Sequence, residues 1–131
     1  MDYCDTIRKE RSKYNETNDC SVVAVSIVLG IEYGKAHKLL EQMGRKHMKG
    51  AYQRQIIAAV RSSGASCERV LNALEPWTKK CKTPISLQRN IPDGNYLVFT
   101  RRHVFAVTDK RVRDWTEGRR HRILAIFRIK K

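Results

Sequence analysis

The sequence has few of the features that mark metal sites, membrane proteins and secreted proteins. Its four cysteines form no C-x-x-C pair, so a structural zinc site has little support. The longest apolar run, residues 22–29, falls far short of the roughly 20 residues that span a bilayer. The first ten residues are polar and mixed in charge, so we expect no signal peptide and no disulfide framework. We therefore expect a cytoplasmic protein with no membrane partner, no metal and no cofactor.

Acidic residues are also scarce, because 13 Asp and Glu stand against 27 Lys and Arg, giving a formal charge of +14. Residues 101–131 hold eleven basic and three acidic groups, a net +8. Such a surface attracts nucleic acids and acidic proteins, although a solvated basic face without a partner is an equal alternative. The candidate polyanion-binding residues are the arginines of this last quarter, namely Arg101, Arg102, Arg119, Arg120, Arg122 and Arg128.

The length of 131 residues predicts one domain, because each of two domains would be too short to bury a stable hydrophobic core. Apolar residues follow helical spacing up to about residue 90, and helices are predicted over 18–30, 31–44 and 51–64. The first should be central and buried, because it is apolar on nearly all sides and ends at Gly30. Residues 67–74 fit a strand or a helix equally. Thr83 and Pro84 should begin a short helix.

The last third of the chain has the alternation typical of strands. After a turn at 91–94, strands are predicted over 95–100, 103–108, 111–115 and 122–129. Their short connections favour antiparallel pairing. The predicted fold class is therefore α+β, a single domain 1–131 with N-terminal helices (about 1–90) packed on a C-terminal antiparallel β-sheet (about 91–131).

Cys20 stands at the start of the buried helix, where a cysteine has unusual chemistry. Free backbone amides and the helix dipole favour the thiolate there, and the same amides can donate to an oxyanion. A buried structural thiol is the alternative.

His103 and Asp114 lie on either side of a predicted hairpin that turns at residues 109–110. Pairing of Val107 with Val112 puts Asp114 diagonal to His103 on the same face, within reach of a hydrogen bond. A cysteine with a histidine and a carboxylate forms the nucleophile, base and orienting group of acyl transfer. The alternatives are a surface histidine, and a salt bridge from Asp114 to Arg101 or Arg113. His37, beside Lys38, is expected to be solvated or at an interface.

Two segments, NDCSVVAVSIVLGIEYGKAHKLL (18–40) and GNYLVFTRRHVFAVTDKRVRDW (94–115), resemble the papain-like cysteine peptidase superfamily. The similarity is closest to compact bacterial and phage members related to bacteriocin-processing peptidases. It implies a papain-like fold and cleavage of peptide or isopeptide bonds by a nucleophile Cys20, a base His103 and an orienting Asp114.

Larger members of that superfamily carry a glutamine about six residues before the nucleophile, and this chain has Tyr14 there. The amide donor to the oxyanion would then come from Asn15 or Asn18. The basic surface suggests an acidic protein or peptide substrate. The alternative function is a weakly active or inactive papain-like fold that binds nucleic acid or protein, such as a phage protein acting in the host cytoplasm.

Overall fold

The computed structural model describes residues 20–45, 53–70, 75–101, 103–114, 118 and 120–131. Four helices, one 3₁₀ helix and five strands occur in these ranges. In chain order they are α1 (Cys20–Leu29), α2 (Tyr33–Gln42), α3 (Gln53–Ser62), β1 (Ser66–Arg69), the 3₁₀ helix (Pro76–Lys80), α4 (Pro84–Asn90), β2 (Asn95–Thr100), β3 (His103–Thr108), β4 (Arg111–Val112) and β5 (Ile123–Lys130).

The strands form one sheet in the order β1-β5-β2-β3-β4, and every described pairing is antiparallel. This confirms the predicted α+β class. The ambiguous segment after residue 66 supplies β1, which pairs with the second half of β5. Because this pairing joins residues 58 to 64 positions apart, local spacing could not decide it.

Helix α1 lies in the middle of the molecule, as its apolar sequence predicted. It packs against β3 on one side and against α2 on the other, and Val22, Val25 and Val28 are fully buried. The helix ends at Gly30, which has a φ of 65°. Backbone amides of Gly30 and Ile31 donate to carbonyls of the last turn, so this glycine closes the helix in a Schellman motif.

The sheet is covered on both faces, and this explains why β2 is apolar at successive positions. Leu97 and Phe99 face the core formed with helices α1, α2 and α3. Tyr96 and Val98 face a second core, which the 3₁₀ helix and α4 cover. A strand buried on both faces needs apolar residues at odd and even positions alike.

The turn between β3 and β4 has the geometry that a tight hairpin requires. Asp109 and Lys110 have φ values of 52° and 62°, the pattern of a type I′ turn, whose twist matches that of the strands. Val107 pairs with Val112, which confirms the predicted register. The predicted strand 111–115 is regular only over Arg111–Val112, although the Arg113 amide still donates to the Ala106 carbonyl at 3.0 Å.

Two further sequence predictions concern α4 and membrane insertion. Thr83 caps α4 reciprocally with Ser86, whose amide donates to Thr83 Oγ1 at 3.3 Å while Ser86 Oγ accepts from the Thr83 amide at 3.0 Å. This confirms the predicted start of the helix at Pro84. Within the described ranges, no helix is both long and apolar enough to cross a membrane.

Candidate active site

The candidate site begins with Cys20, which is the first residue of α1 and is half-buried. The first amides of a helix have no acceptor within the helix, so they are available to an anion at this end. The structure forms no disulfide among Cys20, Cys67 and Cys81. Because α1 packs directly on β3, the start of the helix lies near the strand that contains His103.

His103 is the first residue of β3 and contacts the carboxylate of Asp114. His103 Nε2 lies 2.6 Å from Asp114 Oδ2, and the two side chains are only 14% and 13% exposed. Asp114 follows β4, where the bond from the Arg113 amide to Ala106 extends the hairpin. The predicted diagonal pairing of these two side chains is confirmed.

His103 also interacts with the Cys20 side chain. Burial by itself would lower the pKa of His103, but hydrogen bonds to Asp114 and to Cys20, with the negative charge on both groups, raise that pKa to about 9. Nε2 is the ring nitrogen that lies against Asp114. The imidazole therefore stands between a carboxylate and a thiol.

This arrangement favours a protonated His103 at neutral pH beside a cysteine whose charged form it stabilises. A thiolate is the nucleophilic form of cysteine, and a neighbouring imidazolium lowers the cost of forming it. The Phe105 ring stacks on His103 with centroids 6.1 Å apart. The three groups together can supply a nucleophile, a proton and an orienting carboxylate.

The alternative partner proposed for Asp114, Arg113, is engaged by other residues. Arg113 Nε donates to Thr108 Oγ1 at 2.8 Å, and Arg113 Nη2 lies 3.5 Å from Asp109 Oδ2. These contacts point the guanidinium at the hairpin turn, while the Asp114 carboxylate points at His103.

The other two described cysteines have environments that suppress reactivity. Cys81 donates from its sulfur to the Trp77 carbonyl at 3.4 Å, and burial raises its pKa to about 11. Burial also raises the pKa of Cys67, a rise that the nearby Arg61 charge partly offsets. Both are buried core residues, in contrast to the half-buried Cys20 beside an imidazole.

The arginines predicted to bind polyanions differ in exposure and in ion pairing. Arg101, Arg120 and Arg122 are exposed. Arg128 forms a two-pronged ion pair with Glu75, with Nη1 donating to Oε2 at 3.0 Å, and its guanidinium lies 5.5 Å from the Tyr96 ring centre. Because its guanidinium is occupied by Glu75, Arg128 is a poor candidate for binding phosphate. The other members Arg102 and Arg119, and the proposed oxyanion donors Asn15 and Asn18, lie outside the described residues.

Of the two alternatives expected for His37, solvated or at an interface, the structure contradicts the first. His37 is 8% exposed and its ring centre lies 6.3 Å from that of Tyr33. Tyr33, Ala36, His37 and Leu40 form the buried stripe of α2, so the histidine occupies a core position at helical spacing.

Sequence reasoning also missed a groove whose basic lining includes Arg69, Lys79 and Lys82. These residues come from β1, from the 3₁₀ helix and from the linker that follows it. No motif joins them, and a run of lysines in the sequence was the single local signal. Across the described part of the chain, no three His, Cys, Asp or Glu residues are grouped so that they could hold a metal ion.

Comparisons with protein-family models, with curated proteins and with solved structures found no match to this chain.

Proposed function

We propose that this protein is a papain-like cysteine hydrolase that cleaves peptide or isopeptide bonds. The observation that carries the proposal is that His103 contacts both Asp114 and Cys20, with Cys20 at a helix N-terminus. The absence of disulfides among the described cysteines fits action in a reducing cytoplasm, which would be the host cytoplasm for a phage protein.

In the proposed reaction, the Cys20 thiolate attacks the carbonyl carbon of the scissile bond. The C–S bond forms while the carbonyl electrons move to oxygen, and this oxyanion accepts hydrogen bonds from the first amides of α1. Asn15 or Asn18 would add a side-chain amide. As the oxyanion collapses, the C–N bond breaks and His103 gives its proton to the leaving amine. A thioester on Cys20 and a neutral His103 remain.

Hydrolysis of the thioester restores the starting state. His103 removes a proton from a water molecule, whose oxygen attacks the thioester carbonyl. Collapse of the second oxyanion breaks the C–S bond and releases a carboxylic acid, leaving the thiolate and the imidazolium. Asp114 orients the ring and stabilises its charge in both steps, without taking the proton.

The first test measures the reactivity of Cys20 against the other thiols of the same chain. A Cys4→Ser background is treated with iodoacetamide at pH 6, and labelling of each cysteine is followed by peptide mass spectrometry. We expect Cys20 to react at least about tenfold faster than Cys67 and Cys81 in the folded protein. We expect the advantage to vanish in urea, where all three become ordinary thiols. Equal rates for Cys20 in the folded and unfolded chain would contradict an activated thiolate.

The second test measures cleavage. Wild type and Cys20→Ala are incubated with a peptide library and with isopeptide-linked substrates, and new termini are identified by mass spectrometry. We expect products from the wild type alone, with His103→Gln as inactive as Cys20→Ala. Products that persist in Cys20→Ala would refute the assigned nucleophile.

The second candidate function is binding of nucleic acid without catalysis, and the exposed Arg101, Arg120 and Arg122 favour it. It predicts affinity for DNA or RNA that falls with salt, with a log–log slope near about −0.9 for each phosphate neutralised. Flat salt dependence, or no binding at low salt, would exclude it.

A further inference from the structure

A basic groove of about 530 Å³ opens beside the start of β5. Its walls are the end of β1, the 3₁₀ helix with its following linker, and the residues that lead into β5. Its lining includes five basic side chains and, within the described ranges, no acidic one. The basic members are Arg69, Lys79, Lys82, Arg120 and Arg122.

No described acidic residue neutralises the charge of the basic groove. All five side chains come from exposed residues, and none of them takes part in an ion pair within the described part of the chain. Glu75, at the start of the 3₁₀ helix, is committed to Arg128. Five like charges around one concavity repel one another, and an anionic ligand relieves that repulsion.

The groove also has an apolar part. Val70, Cys81 and Ile126 are buried in its lining. Leu124 lines it as well and is 54% exposed, which makes it the one large exposed hydrophobic side chain among the described residues. Leu124 lies at a register shift in the β2–β5 pairing, between Ala125, which pairs with Phe99, and Ile123, which pairs with Thr100.

Backbone hydrogen bonds hold the walls of the groove together. The Ile123 amide donates to the Lys82 carbonyl at 2.8 Å, joining β5 to the linker after the 3₁₀ helix. The Val70 amide donates to the Ile126 carbonyl at 2.9 Å, extending the β1–β5 pairing. The concavity is thus built into the backbone, so that a ligand would not have to order it first.

The basic groove lies at the end of the sheet that carries the candidate active site. Thr100 pairs with His103 on one side and with Ile123 on the other. Neighbouring strands are about 4.8 Å apart, so the start of β5 lies about 10 Å from the start of β3. A few residues of extended chain would cover that distance.

We propose that the basic groove binds an acidic peptide segment, and that this segment belongs to the substrate cleaved at Cys20. The second half of this inference rests on the proposed function. Acidic side chains would pair with the five cations, and an apolar side chain of the same peptide would cover Leu124. A phosphate backbone would leave Leu124 uncovered, and the described lining includes no aromatic ring on which a base could stack.

The binding test uses the full chain with Cys20→Ala, so that no probe is cleaved. The probe is a fluorescein-labelled peptide of alternating glutamate and leucine, and binding is measured by fluorescence anisotropy. Lys79→Glu/Lys82→Glu reverses two charges in the groove. Lys35→Glu/Lys38→Glu makes the same change at exposed positions of α2, on the opposite face of the sheet, and is the matched control. We expect the groove variant to weaken binding at least about tenfold and the control to change it less than about twofold.

Two further probes separate the alternatives. A peptide with glycine in place of leucine should bind more weakly than the leucine peptide to the protein that has Leu124. Leu124→Ser should bind the two peptides about equally. An oligothymidylate tests the nucleic-acid alternative. The proposal would be overturned if the oligonucleotide bound more tightly than the peptide and if Lys79→Glu/Lys82→Glu abolished that oligonucleotide binding. Peptide binding that the groove variant leaves unchanged, or no peptide binding at all, would also overturn it.

Catalysis provides the readout that links the groove to the substrate. With Cys20 intact, Lys79→Glu/Lys82→Glu should raise KM for acidic peptides by about tenfold with little change in kcat. The reason is that the groove contacts are equally strong in the bound substrate and in the transition state. Equal KM values in the groove variant and wild type would overturn the link. If Cys20→Ala binds the peptide but Cys20 of the wild type is unreactive in the labelling test, the hydrolase proposal is refuted and peptide binding by the groove is supported. If Cys20 is reactive but no peptide binds, the groove proposal alone is refuted.

Discussion

The substitution Asp114→Asn tests the electrostatics of the site without depending on any substrate. The carboxylate lies 2.6 Å from His103 Nε2 and is one of the groups that raise the His103 pKa from its ordinary 6.5 to about 9. That difference corresponds to about 3 kcal/mol in favour of the imidazolium, supplied jointly by Asp114 and Cys20. Asparagine keeps the shape and removes the charge, while the burial that lowers the pKa remains.

We expect the His103 pKa in Asp114→Asn to fall well below about 9, and NMR titration of the imidazole Cε1 proton would measure it. The signal is assigned by its loss in His103→Gln. Asp109→Asn is the matched control, because its carboxylate is exposed and faces Arg113, so that its loss should leave the titration in place. A His103 titration that is the same in Asp114→Asn and wild type would refute the electrostatic reasoning.

The same change has a consequence for stability. Because the pKa of His103 is raised on folding, its contribution is complete below pH 6.5 and is lost as the pH rises through about 9. The difference in unfolding free energy between wild type and Asp114→Asn should therefore shrink across that window. Urea denaturation at pH 6 and pH 9.5 measures it.

Three further predictions concern the fold. Leu40→Ala should cost about 2–5 kcal/mol in urea denaturation because Leu40 is fully buried, whereas Leu124→Ala should stay within about 0.5 kcal/mol. Glu75→Gln should cost about 1–2 kcal/mol at pH 7, because Arg128 loses its charged partner. Because the hydrogen bond from Arg128 lowers the Glu75 pKa, this cost should shrink as the pH falls below the ordinary range of a glutamate, which urea denaturation across pH would show. Gly30→Ala should lower stability by about 1 kcal/mol in thermal unfolding, because alanine resists a φ of 65°.

The parts of the site that neighbouring residues determine could be predicted from the sequence. A two-residue turn at 109–110 allows one hairpin register, and that register with strict alternation brings Asp114 to His103. The start of α1 could likewise be predicted, because Asn18 and Asp19, residue types common at helix starts, stand directly before its apolar run. These features depend on backbone geometry within a dozen positions, where pattern and structure correspond closely.

The rest depends on contacts between distant segments. Glu75 is 53 positions from Arg128, so nothing local showed that this arginine has a partner. The basic groove draws on β1, the 3₁₀ helix and β5, which meet only because β1 adds to the far edge of the sheet. His37 illustrates a different failure, since it shares the buried face of α2 with Tyr33, Ala36 and Leu40, and its polarity alone indicated solvent.

Helix α1 and strand β3 pack against each other although Cys20 and His103 are 83 positions apart in the sequence. While the chain is being synthesised, Cys20 emerges from the ribosome long before its histidine exists. The nascent chain therefore carries Cys20 without the imidazole beside it, and the two side chains meet only once the last third of the chain has been made and has docked. Contact between this sulfur and the imidazole is thus coupled to completion of the fold.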